Sequence, residues 1–194
     1  MGKAPKRYEK MSQLIEQVKP KTILEIGTWS GDRAMQLVED ALKYQPRVHY
    51  IGYDLFEEAT EETDREELNV KRHFSQDEVN ARLDKFRRRT RLNFTWELVR
   101  GNTRETLKPQ SVDFAFIDGG HSLQTIRSDY EAVKNSKMIV FDDYYLPDEN
   151  NAMPDVENWG ANKIVEQIGA TVFTDTNDRV KEGGYVTLAV YSAG

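Results

Sequence analysis

The chain has 194 residues, no cysteine and a formal net charge of −6, with 31% of its residues charged. The missing cysteines exclude disulfides, thiolate metal sites and cysteine nucleophiles, and the acidic balance argues against a surface for nucleic acid or anionic membranes. The length predicts a single domain over residues 1–194. We expect a cytoplasmic protein, because no apolar run approaches the roughly 18 residues of a membrane span and Met1–Lys10 lacks the apolar stretch of a signal peptide.

Alternating helical and strand-like patterns predict an α/β fold. Apolar residues at helical spacing indicate a first helix over Tyr8–Val18, closed by Pro20. Five short apolar runs, rich in β-branched and aromatic residues, then predict parallel strands separated by helices. These strands are expected at Thr22–Ile26, Val48–Tyr53, Phe94–Val99, Val112–Ile117 and Met138–Phe141. A last helix is expected to end at Gly169, before an antiparallel pair formed by Thr171–Phe173 and Tyr185–Val190.

An insertion of about residues 55–92 separates the second and third strands, and it is longer and more charged than a usual crossover. Ser75 and Glu78 predict a capping box at the start of a helix. Glu57–Lys71 holds seven acidic residues without a clear period, so we expect an inserted loop or lid. A segment with so few apolar residues should be mobile without substrate.

Four of the predicted strands run directly into acidic residues. Ligands of open α/β sheets bind outside the carboxyl ends of the strands, so these carboxylates should lie along one rim. The acidic residues are Glu25, Asp54, Asp118, Asp142 and Asp143. Carboxylates that meet at one rim raise each other's pKa unless a cation neutralises them, and oxygen-only ligands suit Mg²⁺.

The turn after the first strand reads Glu25-Ile-Gly27-Thr-Trp-Ser-Gly31. Its glycines let the backbone approach a ligand, and the following helix offers free N–H donors. The dinucleotide fingerprint G-x-G-x-x-G requires glycine where this chain has Trp29, which counts against a nicotinamide or flavin enzyme. The acid before two glycines four residues apart instead resembles motif I of class I S-adenosylmethionine-dependent methyltransferases.

Two later positions agree with this resemblance. Asp54 lies 27 residues beyond Gly27, where an acid of that family accepts the ribose hydroxyls of the cofactor; a helix-capping aspartate is the alternative. Asn102 and Thr103 follow the third strand, where the family contacts adenine; an ordinary turn is the alternative. The resemblance implies cofactor contacts from Glu25, Gly27, Thr28, Trp29, Ser30, Gly31, Asp54, Leu55, Asn102, Thr103, Asp118 and His121.

Three further phrases narrow the resemblance to the metal-dependent small-molecule O-methyltransferases. The chain is similar to macrolide and aminocoumarin sugar O-methyltransferases and, more distantly, to catechol O-methyltransferase, over about Thr22 to Gly169. The phrases are FIDGGHS at 116–122, IVFDDY at 139–144 and WGANK at 159–163. The resemblance implies a Rossmann-like fold, the cofactor S-adenosylmethionine, and methylation of a small-molecule hydroxyl.

By the same resemblance Asp118, Asp142 and Asp143 would hold Mg²⁺, and Asp118 would also approach the amino group of the cofactor. Some members carry an acid two residues after the first metal ligand, proposed as the general base, but this chain has Gly120 there. His121 is the next candidate, since histidine titrates near neutral pH. Its alternatives are a capping or cofactor-contacting role, and a metal could acidify the substrate hydroxyl without any protein base.

Other functions remain open at this point. A nicotinamide-dependent oxidoreductase is disfavoured by Trp29 and the acidic cluster. A non-catalytic metal- or nucleoside-binding module could keep the same fold, and a metal-dependent hydrolase would not need the glycine turn or Asp54. We expect a small-molecule hydroxyl acceptor as partner, no nucleic acid and no membrane, and the sequence leaves a homo-oligomer open. The acceptor should be selected by the irregular segments Leu55–Arg91 and Tyr144–Trp159.

Overall fold

A computed structural model of the chain describes residues 5–181 and 183–192. Its centre is one mixed sheet with the strand order β3-β2-β1-β4-β5-β8-β6, and β7 pairs with β8 outside this order. The strands are β1 (Thr22–Ile26), β2 (Val48–Asp54), β3 (Phe94–Arg100), β4 (Phe114–Ile117), β5 (Met138–Leu146), β6 (Thr171–Val172), β7 (Asp178–Arg179) and β8 (Tyr185–Ser192). The first five run parallel, whereas β8 pairs antiparallel with β5, β6 and β7. The Rossmann-like α/β class and the terminal antiparallel pair are therefore confirmed.

Helices cover both faces of the sheet, and successive strand residues alternate between two apolar cores. Ile23, for example, packs into one core and Leu24 into the other. The helices are α1 (Met11–Val18), α2 (Asp32–Ala41), α3 (Glu61–Glu66), α4 (Gln76–Thr90), α5 (Thr103–Thr106), α6 (Leu123–Val133) and α7 (Asn162–Ile168). Residues of α1, α2 and α4 lie in the first core, and residues of α6 and α7 lie in the second. No helix in the described ranges is long and apolar enough to cross a membrane.

The fifth strand is longer than its apolar run predicts. The pairing between β5 and β8 shifts register between Phe141 and Tyr144 and then continues to Leu146. Asp142 and Asp143 lie in this bulge, and Asp143 has a φ of 58°. The loop expected from Tyr144 therefore starts later, because antiparallel pairing to a distant strand extends β5. In contrast, β4 begins at Phe114, two residues after the predicted start.

The insertion contains more helix than its composition indicates. The aperiodic loop expected over Glu57–Lys71 is wrong in part, since Phe56–Glu58 forms a 3₁₀ turn and α3 follows. Thr60 and Thr63 form a capping box at the start of α3, and the helix has no buried residue. A helix set by its caps alone leaves no hydrophobic period in the sequence. The predicted capping box of Ser75 and Glu78 at the start of α4 is confirmed.

Candidate cofactor and active site

A cavity of about 420 Å³ opens at the carboxyl ends of the parallel strands. Eleven of the twelve residues expected at the cofactor line it, namely Glu25, Gly27, Thr28, Trp29, Ser30, Asp54, Leu55, Asn102, Thr103, Asp118 and His121. The exception is Gly31, which is the buried N-cap of α2 with a φ of 78°. A Cβ at Gly31 would lie 3.1 Å from Val79 of α4, so this glycine serves the turn and its packing.

The glycine turn is pressed between the ends of two neighbouring strands. The Gly27 amide donates to the Tyr53 carbonyl oxygen at 2.8 Å, and Gly27 has a φ of 90°. A Cβ at this position would lie 2.0 Å from the Asp118 carbonyl oxygen. Only glycine lets β1 and β4 end this close together, and that approach places Asp118 beside the turn.

Glu25 presents an unpaired charge-bearing atom beside the cavity. The residue is fully buried, its Oε2 accepts a hydrogen bond from the Tyr50 hydroxyl, and its Oε1 has no partner. Burial raises the pKa of Glu25 to about 8, although the Tyr50 hydrogen bond acts in the opposite direction. A buried, unpaired carboxylate oxygen is costly, and a cationic ligand group placed against it would remove that cost. The residues at this end of the cavity therefore fit the ammonium group of an amino-acid-bearing cofactor.

Asp54 accepts hydrogen bonds from backbone amides, as a capping residue does, and it also lines the cavity where a ligand would bind. Its Oδ2 accepts from the Trp29 amide at 2.7 Å, and its Oδ1 accepts from the Phe56 amide at 2.9 Å. A carboxylate has about four acceptor positions, so two remain for ribose hydroxyls. The Trp29 indole donates to the Arg72 carbonyl oxygen at 2.7 Å and packs edge-on against Phe74. Trp29 thus fastens the turn to the insertion.

Asn102 likewise has a structural task at the cavity wall. Its Oδ1 accepts from the Arg104 amide at 3.0 Å and caps the short helix α5. Asn102 and Thr103 both line the cavity next to Gly101, which has a φ of 119°. The ordinary-turn alternative is therefore right about the backbone, and contact with a bound base stays a prediction for these two residues.

We call Asp118, Asp142 and Asp143 the acidic corner. In the structure the corner receives two side chains from the N-terminal arm, residues 5–10, rather than standing open. Arg7 donates from Nε to Asp142 Oδ1 at 2.8 Å and from Nη2 to Asp142 Oδ2 at 3.2 Å. The Tyr8 hydroxyl donates to Asp142 Oδ2 at 2.5 Å and lies 3.3 Å from Asp118 Oδ2. Both oxygens of Asp142 are therefore engaged by the arm.

The pKa of Asp142, which the arm contacts most closely, shifts in the opposite direction from the pKa values of Asp118 and Asp143. Burial tends to raise the pKa of Asp142, but the Arg7 guanidinium and the other hydrogen bonds to this carboxyl group together hold that pKa below its ordinary value. Burial, and then the charges of Asp142 and Asp143, raise the pKa of Asp118 well above its ordinary value. Burial and the charge of Asp142 also raise the pKa of Asp143. Among the described residues, an arginine or lysine lies within hydrogen-bond distance of Asp142 but not of Asp118 or Asp143.

The oxygen donors of the corner suit Mg²⁺ chemically, but their arrangement does not. Within residues 5–181 and 183–192, no group of three His, Cys, Asp or Glu side chains could hold a metal ion. Asp118 lines the cavity, and so do Arg7 and Tyr8 of the arm. Asp142 and Asp143 do not line it. With the arm in place the three aspartates do not form a coordination sphere.

His121 is oriented by the insertion. Its Nδ1 lies 2.7 Å from the Glu67 carbonyl oxygen, which only accepts, so Nδ1 carries a proton. Nε2 then holds the lone pair of the neutral ring and lies 3.4 Å from Asp143 Oδ2. The Glu67 carboxylate lies beside Gly120, where an added Cβ would meet its Oε2 at 2.6 Å. Glycine at this position makes room for the acid of the insertion.

A family model described as a methyltransferase domain matches residues 24–144, which is more than half of the chain. The chain belongs to this methyltransferase family. The matched segment runs from β1 into the bulge of β5 and includes Glu25, Asp54 and the acidic corner. No curated protein matches the sequence of this methyltransferase.

Solved structures with a similar fold include several O-methyltransferases. The O-methyltransferase NovP has a TM-score of 0.62 and 18% identity, over 96% of this chain and 79% of its own. TomG from Streptomyces achromogenes, involved in tomaymycin synthesis and solved with S-adenosylmethionine, has a TM-score of 0.57 and 16% identity, over 95% and 78%. An O-methyltransferase from Bacillus cereus, solved with S-adenosylhomocysteine, has a TM-score of 0.56 and 18% identity, over 99% and 83%. At these identities the likeness establishes the fold of the methyltransferase.

Sequence reasoning missed three residues of the methyltransferase site. Tyr8 was expected only as an apolar position of the first helix, but it lies in a 3₁₀ turn over Lys6–Lys10. Arg7 and Glu67 carried no signal, since each is one charge in a charged segment. Within the insertion, His73 pairs through Nε2 with Asp64 at 2.8 Å. That pair joins α3 to the segment before α4, a contact that the spacing alone does not indicate.

Glu67 also anchors the insertion to the residues after β4, so a substitution there tests whether these contacts limit the motion of the expected lid. Its carboxylate accepts from the Ser122 amide at 2.8 Å, the Ser122 hydroxyl at 3.0 Å and the Thr125 hydroxyl at 2.6 Å. Fast hydrogen exchange over 57–71, slowed by cofactor and acceptor, stays a prediction. We expect Glu67→Gln to speed exchange in α3 roughly fivefold to tenfold, because charged-acceptor hydrogen bonds of about 1.5–3 kcal/mol are weakened.

Glu62→Gln is the matched control for this exchange experiment, because Glu62 lies exposed on the same helix. It should leave the exchange rates of α3 unchanged. Equal rates in the wild type, Glu67→Gln and Glu62→Gln would contradict the anchoring role.

Proposed function

We propose that this methyltransferase transfers the methyl group of S-adenosylmethionine to a hydroxyl oxygen of a small molecule. The observation that carries the proposal is the unpaired, buried Oε1 of Glu25 at the wall of the cavity. Asp54 at the end of the next strand adds free acceptor positions for ribose hydroxyls. A cavity with a buried carboxyl group at one end and an acidic residue at the ribose position fits a nucleoside that carries an amino acid. The O-methyltransferases of similar fold support an oxygen acceptor.

The residues contribute mainly by binding and orientation. Bound S-adenosylmethionine supplies a methyl group on a sulfonium, and its C–S bond breaks as the acceptor oxygen forms the new C–O bond. Glu25 takes the ammonium group, Asp54 takes the ribose hydroxyls, and Asn102 and Thr103 face the base. The acceptor would enter between the N-terminal arm and the insertion, which both contribute to the cavity wall.

The hydroxyl proton must leave as the methyl group arrives, and His121 is the proposed acceptor. Its Nδ1 is held by the Glu67 carbonyl oxygen, so Nε2 is the nitrogen that takes the proton. Asp143 lies close enough to Nε2 to stabilise the resulting imidazolium. A His121→Ala enzyme with full methyl-transfer rate would remove the imidazole from this proposal.

Magnesium dependence is expected from the sequence, but the described residues of the acidic corner do not fit a metal ion, so it does not enter this proposal. Arg7 and Tyr8 engage both oxygens of Asp142, one of the three expected ligands. The proposal therefore routes no step through a metal ion. The cofactor-binding residues Glu25, Asp54 and Asn102 do not depend on the acidic corner for their positions.

Calorimetric titration with S-adenosylmethionine tests the cofactor assignment through Asp54→Ala. We expect the dissociation constant to rise roughly tenfold to a hundredfold, since a hydrogen bond to a charged acceptor contributes about 1.5–3 kcal/mol. NAD should not bind the wild type under the same conditions.

Asp148→Ala is the matched control for this titration. Asp148 Oδ1 also accepts two backbone amides, from Asn150 at 2.9 Å and Ala152 at 3.0 Å, but Asp148 does not line the cavity. The control should bind S-adenosylmethionine as the wild type does. Unchanged binding in Asp54→Ala, or binding of NAD in place of S-adenosylmethionine, would sink the assignment.

A further inference from the structure

The N-terminal arm is held at the acidic corner from two sides. On one side the Arg7 guanidinium forms the two-bond fork with Asp142. On the other side Asp178 of β7 accepts from the Lys6 amide at 2.9 Å, the Arg7 amide at 3.2 Å and Arg7 Nη1 at 3.0 Å. One guanidinium thus links two carboxylates that lie 36 positions apart in the sequence. Arg7 and Asp178 both lie outside residues 24–144, the part that matches the family.

Tyr8 extends the arm toward the cavity. Two guanidinium groups lie over its ring, Arg7 at 4.5 Å and Arg33 at 3.8 Å from the ring centroid, and the ring packs edge-on against Phe116. These two cation–π contacts and the Phe116 contact fix the orientation of the ring. Its hydroxyl therefore stays between the carboxylates of Asp142 and Asp118.

This arrangement leaves a metal ion neither the ligands nor the space that it needs. Mg²⁺ requires near-octahedral oxygen ligands at about 2.0–2.1 Å. The fork and the Tyr8 hydroxyl already use both oxygens of Asp142, and the positive charge of Arg7 would repel a divalent cation at this distance. A bidentate guanidinium is the side-chain group that best matches the geometry of a carboxylate.

We propose that Arg7 is the resident cation of the acidic corner, occupying the place of a divalent metal, so that this methyltransferase works without one. Arg7 is a positioning residue in this arrangement. It holds Asp142 directly and, through Tyr8, sets the orientation of Asp118 at the cavity wall. The role at the cavity rests on the proposed function, whereas the exclusion of metal does not.

Titration of Mn²⁺ and Mg²⁺ into the full chain, without cofactor or acceptor, tests the proposal. The wild type should show no binding up to roughly 10 mM, and its melting temperature should not respond to either metal. Arg7→Ala should bind Mn²⁺ at least tenfold more tightly than the wild type, because the corner then lacks its cation, and Mn²⁺ should raise its melting temperature. Arg7→Lys keeps the positive charge and should continue to exclude the metal.

Two further variants keep the test decisive. Asp178→Asn loosens the arm without changing the three aspartates, so it should gain weaker Mn²⁺ binding even if Arg7→Ala does not fold. Adding Asp142→Asn to Arg7→Ala should abolish the gained binding, which would locate it at the acidic corner.

Two results of the Mn²⁺ titration would overturn the proposal. Mn²⁺ binding as tight in the wild type as in Arg7→Ala would overturn the proposal and support the magnesium expected from the sequence. A folded Arg7→Ala that binds no metal would overturn it too, since Arg7 would then not occupy a metal position. Neither result depends on S-adenosylmethionine, so a failure of the proposed function would remain distinguishable.

Discussion

Replacing Gly27 with alanine should disrupt the junction between β1 and β4 and abolish cofactor binding. The new Cβ would lie 2.0 Å from the Asp118 carbonyl oxygen, a backbone atom that cannot move aside as a side-chain end can. The φ of 90° adds backbone strain of about 1–3 kcal/mol for a residue with a Cβ. We expect the free energy of unfolding to fall by roughly 3–5 kcal/mol, because a steric clash in a packed site costs about 1–3 kcal/mol or more and adds to this strain. Thermal or urea denaturation measures this loss.

Gly169→Ala separates the steric clash from the strain. Gly169 also has a positive φ, of 66°, but a Cβ there would meet nothing within 4 Å. This control should lose only about 1 kcal/mol, the cost of a left-handed conformation for a residue with a Cβ. Equal losses in the two variants would show that the close approach of Gly27 to Asp118 contributes nothing.

Glu25→Gln is expected to stabilise the free protein at alkaline pH while it weakens cofactor binding. The pKa of Glu25 is about 8 in the folded chain, against an ordinary value of 4.5. The folded chain therefore retains a proton that the unfolded chain releases, so stability falls as the pH rises from 4.5 to 8 and levels off above 8. A shift of this size amounts to about 3–5 kcal/mol, and glutamine removes it because it does not ionise.

The same substitution should raise the dissociation constant of S-adenosylmethionine roughly tenfold to a hundredfold, since a neutral amide replaces a charged acceptor. Denaturation between pH 5 and pH 9, with calorimetry at pH 8, measures both effects. Tyr50→Phe is the companion variant: the hydrogen bond that lowers the pKa of Glu25 is lost, so the pH-dependent loss of stability should grow. A wild-type stability that does not change between pH 5 and pH 9 would contradict the buried, raised carboxyl group.

The sheet, the turn and most of the cavity wall could be predicted because their signals are local. Apolar runs mark the parallel strands, and β1 has the predicted bounds Thr22–Ile26. In a parallel sheet the carboxyl ends of strands share one edge, so Glu25, Asp54 and Asp118 had to lie near one another once the strands were placed. The glycine turn follows from the same local chemistry, since a positive φ next to a neighbouring strand requires glycine.

Only the tertiary structure decided how the charges of the site are paired. Arg7 and Asp142 are separated by 135 residues and Arg7 and Asp178 by 171, and no periodicity links such positions. Glu67 of the insertion likewise contacts His121, 54 residues later in the sequence. A charged residue in a sequence shows its sign but not its partner, because the partner depends on which loops the fold brings together. The sequence by itself therefore determined the rim of acids and the adjacent glycine turn, and the three-dimensional fold determined that an arginine lies among those acids.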